Sequence, residues 1–184
     1  LPDKIFKSCI YLKNIKIECS KLLTISNKSF YKSKVKSFEV ESNQVEINDE
    51  CFSSKYLQLL KIKSNELNIG NFCFKNFTSL TEISLGKLAR FKIDINTFSG
   101  CNFLRKISIS AKCLEVCGFN YSCASELQSI ELISDEKLNI ETNAFDDCTS
   151  LSSILIKIEN EEELKIITNM FKNRKLLKNI SFIS

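Results

Sequence analysis

The sequence predicts an α/β solenoid of about eight coils, each 22–26 residues long. One continuous parallel β-sheet runs along one side, and short helical or turn segments lie opposite. Three observations carry this prediction. Aromatic residues return at a near-constant interval: Phe6, Phe30, Phe52, Phe74, Phe98, Tyr121, Phe145 and Phe171, in steps of 24, 22, 22, 24, 23, 24 and 26 residues. The same apolar positions recur around each of them. Each unit also holds one short alternating run, the period of a strand with one buried face. A unit this small cannot bury its apolar side alone, so neighbouring units stack and share a core.

The elements follow in chain order. The alternating strand pairs are Ile15/Ile17, Phe38/Val40, Leu60/Ile62, Ile83/Leu85, Ile107/Ile109, Ile130/Leu132, Ile154/Ile156 and Ile180/Phe182. Ahead of each aromatic position stands a second apolar pair: Leu23/Ile25, Val45/Ile47, Leu67/Ile69, Phe91/Ile93, Leu114/Val116, Leu138/Ile140 and Leu164/Ile166. The segment from each aromatic residue to the next strand supplies the turns. In the second and third units that segment is one residue shorter than in the others.

Two runs show the repeat most fully, Thr97-Phe98-Ser99-Gly100-Cys101-Asn102-Phe103-Leu104-Arg105-Lys106-Ile107 and Ala144-Phe145-Asp146-Asp147-Cys148-Thr149-Ser150-Leu151-Ser152-Ser153-Ile154. They resemble the leucine-rich repeat of the BspA, or Treponema pallidum, type, whose core reads A-F-x-x-C-x-x-L-x-x-I-x-I. The resemblance spans essentially the whole chain, although most of the family's Gly and its frequent Pro after the strand are missing. It implies a leucine-rich-repeat solenoid and a protein-interaction role, often as a surface or secreted adhesin.

Composition narrows the function. The chain has 184 residues, 43% apolar and 26% charged, enough for one domain over residues 1–184. Leu1 falls midway through a unit, and the last strand ends without a polar cap. The expectation is that neighbouring repeats or another chain cover both ends. Charge-free stretches such as 95–104 run about ten residues, half of what a membrane-spanning helix needs. No membrane span is therefore expected in this segment. There is no His, and so no Ser-His or Cys-His nucleophile pair. With no Gly-rich phosphate loop either, the reading is non-catalytic, with no cofactor. The Lys, Ile, Asn and Ser bias fits an AT-rich, protist-like genome.

The nine cysteines are an odd number, so at least one is free of any intrachain bridge. Cys9, Cys101 and Cys148 share one repeat position, three after the aromatic residue. Cys51 and Cys73 share another, directly before it, with Ser29 and Ala144. Both positions are expected to point inward as small structural thiols. Cys113, Cys117 and Cys123 cluster in sequence but lack a close C-x-x-C pair and a fourth ligand, so no metal site is expected. The sequons at Asn27, Asn76, Asn120 and Asn179 are no more than a chain with 17 Asn produces by chance.

Charge runs downhill along the chain: +5 over residues 1–65, +3 over 66–120 and −4 over 121–184. Such a gradient orients an acidic partner toward the N-terminal half. The Lys28, Lys32, Lys34, Lys36 cluster has one nearby aromatic, Tyr31, and no nucleic-acid motif, and reads as a solvated face. Residues 159–163 form an acidic stretch expected to protrude as a loop.

A partner is expected on the outward residues of the strands, an extended surface that is usually concave in solenoids. One column reads Asn14, Ser37, Leu59, Glu82, Lys106, Ser129, Ser153, Asn179. The next reads Lys16, Glu39, Lys61, Ser84, Ser108, Glu131, Leu155, Ser181. The columns are mixed and Ser-rich, with Leu59 and Leu155 as apolar exceptions. The expected function is a protein-interaction module, adhesin-like at a surface. The alternative is an intracellular scaffold within a larger assembly such as a cytoskeletal one. The partner is a protein of unknown identity, not a nucleic acid.

Overall fold

The computed structural model describes residues 4–48, 52, 55–69, 74, 77–119, 121–158, 171 and 177–183. Eight parallel strands form one sheet in strict sequence order: β1 (Asn14–Ile25), β2 (Ser37–Ile47), β3 (Leu59–Ile69), β4 (Glu82–Ile93), β5 (Lys106–Val116), β6 (Ser129–Ile140), β7 (Ser153–Ile158) and β8 (Asn179–Ile183). A parallel pair needs a crossover, and here each crossover is the remainder of one coil. The side opposite the sheet consists of turns among the described residues, with one helical turn, α1 (Tyr121–Ala124). Cys51, Cys73, Leu164, Ile166, residues 159–163, Asn76 and Asn120 lie outside the described residues.

Most strands are longer than a short alternating run predicts. Six of them span 11 or 12 residues, because each continues from the strand pair into the second apolar pair. The inward phase changes between the two arms. In β2, Phe38, Val40 and Ser42 point inward, then Val45 and Ile47; β5 repeats this with Ile107, Ile109 and Ala111, then Leu114 and Val116. That phase change leaves corner carbonyls to be satisfied. Buried serines supply the donor. The Ser64 hydroxyl donates to Glu66 O at 2.6 Å with Asn43 O at 3.2 Å, and Ser134 to Lys137 O at 2.6 Å with Lys112 O at 2.9 Å. Ser42 sits likewise between Lys21 O and Gln44 O. One acceptor in each case lies on the preceding coil, so the hydroxyl ties coils together as well as closing the corner.

Main-chain bonds repeat just before each strand. Lys36 and Ser37 both donate N–H to Lys13 O, at 2.7 and 3.1 Å, and Gln58 and Leu59 do the same to Lys36 O. The same double bond recurs at Gln58, Thr81, Arg105, Gln128 and Ser152 carbonyls.

Between sheet and turns lies an aliphatic core threaded by stacked rings. Phe6 and Phe30 lie 5.2 Å apart, Phe30 and Phe52 4.9 Å, Phe74 and Phe98 5.7 Å, and Phe145 and Phe171 5.5 Å. Between Phe52 and Phe74 the stack passes through Phe77, at 5.8 and 6.4 Å. The sixth unit corrects the sequence reading. Its core ring is Phe119, 6.4 Å from Phe98 and 5.9 Å from Phe145, while Tyr121 opens the helical turn. Gly118 makes this possible with φ of 153°, a region L side chains rarely adopt.

The cysteine positions point inward where they are described. Cys101 and Cys148 are buried and Cys9 half-buried; Ser29 and Ala144 are buried. The Cys101 thiol donates to Phe74 O at 2.9 Å. Burial pushes that thiol up to about 12, with a backbone hydrogen bond from Phe77 offsetting part of the rise.

Candidate functional site

The strand register decides which outward residues stand side by side. Asn14, Ser37, Leu59, Glu82, Lys106, Ser129, Ser153 and Asn179 pair successively across all eight strands. So do Lys16, Glu39, Lys61, Ser84, Ser108, Glu131, Leu155 and Ser181. The structure therefore brings all sixteen residues onto one face as two unbroken columns. Leu59 and Leu155 lie half-buried within them, flanked in register by Ser37 and Glu82, and by Glu131 and Ser181.

A third column was missed by sequence reasoning: Glu18, Glu41, Lys63 and Gly86, then Ser110, Ile133 and Lys157. The signal was present, since these residues continue the same alternation two positions further along each strand. Gly86 contributes no side chain, and a Cβ built there meets nothing within 4 Å. A shallow depression of about 260 Å³ opens beside it, lined by Lys16, Glu39, Lys61, Lys63, Ser84 and Gly86 among others.

Charges on the face neutralise one another. Lys16 pairs with Glu18 at 2.6 Å, Lys63 with Glu41 at 2.5 Å and Lys106 with Glu82 at 3.3 Å. The hydrogen bond and charge of Glu18 hold the Lys16 ammonium above its ordinary value. The pairs are largely solvent-exposed, the regime in which an ion pair adds little stability because water and salt screen it. They are exchangeable contacts, open to a partner's charges. Beyond β4 the face turns hydroxyl-rich with Ser108, Ser110, Ser129 and Ser153, and Ser108 donates to Glu131 Oε2 at 2.7 Å.

The three clustered cysteines do not converge. Cys113 lies on β5, 3.7 Å from Glu136 Oε2, and Cys117 just beyond its end, 3.4 Å from Glu115 Oε1, whereas Cys123 is buried inside. Burial, then Glu141 and Glu115, push the Cys117 thiol up. Among the described residues no three His, Cys, Asp or Glu side chains are placed to hold a metal.

The sequence model of the BspA type leucine rich repeat region matches in six copies, over residues 1–112 and 89–184. The chain belongs to the BspA-type leucine-rich repeat family. Neither the curated proteins nor the solved structures give a match. BspA-type repeats are protein-interaction modules and generally carry no catalysis. In this BspA-type chain no helix among the described residues is long and apolar enough to cross a membrane.

Proposed function

We propose that the strand face is the partner-binding surface of a non-catalytic interaction module, displayed at a surface as an adhesin. One observation carries the reading: two unbroken in-register outward columns, joined by a third that breaks only between Gly86 and Ser110, make a face on which Lys16, Lys63 and Lys106 are held by exposed, exchangeable pairs. Eight strands at about 4.8 Å spacing make it roughly 34 Å long. Three columns make it about 14 Å wide. The resulting area is below the ~800 Å² per partner of a standard interface, which favours an elongated protein segment lying along the strand stack.

The test is charge reversal. Lys61→Glu with Lys106→Glu is expected to weaken binding of an acidic partner by about tenfold, through slower association and lost contacts. Unchanged affinity of the double variant removes this face from consideration.

The thiols of Cys101, Cys113 and Cys117 favour a second reading, an intracellular scaffold. Intact mass of the natively purified protein, with and without thiol alkylation, separates the two. Glycan on the exposed Asn27 or Asn179, or a disulfide, supports the surface adhesin. A bare mass with every thiol alkylated supports the scaffold.

A further inference from the structure

We propose that the turn face of the first three coils docks on an anionic lipid surface. The charge gradient of the chain is concentrated on the turns. The between-strand segments 4–13, 26–36 and 52–58 carry eight lysines and no Asp or Glu: Lys4, Lys7, Lys13, Lys28, Lys32, Lys34, Lys36 and Lys55. Asp3, Asp49 and Glu50 flank them in sequence and still leave a balance of +5. No later turn matches this: 70–81 holds Lys75 alone, 94–105 balances Asp94 with Arg105, 117–128 holds Glu126, 141–152 holds Glu141, Asp146 and Asp147, and 159–178 nearly balances. On the strand face Lys16, Lys63 and Lys106 each pair with a carboxylate.

The coils place these turns in contact. Phe6 N–H donates to Ser29 O at 2.9 Å, Ser8 N–H to Tyr31 O at 3.0 Å, and Gln58 N–H to Lys36 O at 2.8 Å. Lys4 and Lys28 occupy one repeat position, two before the ring. Lys34 and Tyr56 occupy another, four after it, and the Lys34 ammonium lies 5.8 Å from the Tyr56 ring. Adjacent coils thus bring these lysine-bearing turns side by side, at the strand spacing of about 4.8 Å.

Three features favour a lipid surface over other anions. Every cation in the patch is Lys, a mobile point charge suited to a diffuse anionic layer; bidentate phosphate and carboxylate recognition uses Arg. Of the exposed rings on these turns, Tyr31 and Tyr56 lie under this protein's own Lys32 and Lys34, at 5.3 and 5.8 Å, while Tyr11, 88% exposed, stands between the exposed Ile10 and Leu12, an apolar cluster suited to a headgroup layer more than to stacked bases. Tyrosine beside lysine is also the pairing that settles at headgroup depth. Finally, among the described residues three of the four non-glycine residues in left-handed backbone are lysines of this patch, Lys4, Lys28 and Lys32, with φ of 59°, 56° and 56°. At these three positions lysine stands where Gly is the conformationally cheaper residue.

The experiment is vesicle flotation of the folded chain with phosphatidylcholine vesicles, alone or with roughly one third phosphatidylserine. Expected is binding to the anionic vesicles only, falling steeply with salt and dropping roughly tenfold or more in Lys28→Glu/Lys32→Glu/Lys34→Glu. Lys34→Glu/Lys55→Glu, outside the left-handed positions, gives a second reading if the triple variant misfolds. Lys61→Glu/Lys106→Glu is expected to bind vesicles as the parent does, which keeps this result separate from the strand-face test. Failure to float, or binding indifferent to the turn lysines, overturns the proposal. Displacement from vesicles by sub-stoichiometric single-stranded DNA or polyglutamate also overturns it, in favour of a nucleic acid or an acidic protein.

Discussion

Lys32 and Gly100 occupy the same repeat position, two after the core ring, and both hold left-handed backbone, with φ of 56° and 81°. Only one of them is the residue that position favours. Gly100→Ala is expected to cost about 1–2 kcal/mol, the penalty of a Cβ in that conformation. Lys32→Gly is expected to stabilise by about 0.5–1 kcal/mol, since relief of strain outweighs the extra freedom of the unfolded chain. Thermal or urea unfolding of the two variants measures both, and the same sign for both would contradict the shared backbone requirement. The buried Cys101 thiol gives a prediction in pH. Burial lifts it from the ordinary 9.0 to about 12, so the folded protein keeps the proton longer than the unfolded chain does. Its contribution to stability is complete below pH 9.0 and is lost as pH rises toward about 12. Cys101→Ala is therefore expected to flatten the alkaline fall in melting temperature. In labelling at neutral pH, Cys101 is expected to react only on unfolding, while the half-exposed Cys9 and Cys19 react in the folded protein. An alkaline profile identical in Cys101→Ala and parent would show that this thiol does not drive the loss.

Among the elements, the eight strands and the two outward columns were legible because strand alternation has a fixed period and any slip turns every side chain to the wrong face. Ile107, Ile109, Leu114 and Val116 sit inward where their spacing places them. What joins the arms was not legible. Ser42, Ser64 and Ser134 look in sequence like ordinary polar residues, and their role depends on carbonyls of the preceding coil. The ring of the sixth unit was misassigned for a related reason. Tyr121 keeps the interval, 23 residues after Phe98, whereas Phe119 comes 21 after it. Length alone cannot tell that Gly118 turns the chain early and that α1 takes up the extra residues before β6. The third column of the face was readable but went unread, and Gly86 within it opens the depression beside Lys63.

At the scale of the molecule, among the described residues one junction between two strands of full length is weak, that of β3 and β4. β2 and β3 pair from Ser37↔Leu59 to Ile47↔Ile69, along both arms. Between β3 and β4, pairing among the described residues runs only from Leu59↔Glu82 to Lys63↔Gly86. The second arm resumes across β4 and β5, from Leu88↔Ala111 to Ile93↔Val116, after a register shift. Core exposure marks the same place: Leu67, Ile69 and Phe91 are only partly buried, while Val45, Ile47, Leu114 and Val116 are buried. The ring stack also detours there, through Phe77. In a repeat array, stability is a sum of units and nearest-neighbour interfaces, so among the full-length strands β1–β6 the interface with least pairing opens before its neighbours. The six long strands are therefore expected to loosen as two blocks, β1–β3 and β4–β6, before they unfold as a whole. Hydrogen-exchange mass spectrometry tests this on peptides covering 64–69 and 42–47, which occupy equivalent stretches of adjacent strands. Exchange in 64–69 is expected to be at least about tenfold faster, a difference of roughly 1.4 kcal/mol in opening free energy. Equal protection of the two peptides would mean that the sheet is continuous across this junction in solution, and that the array unfolds without a preferred break.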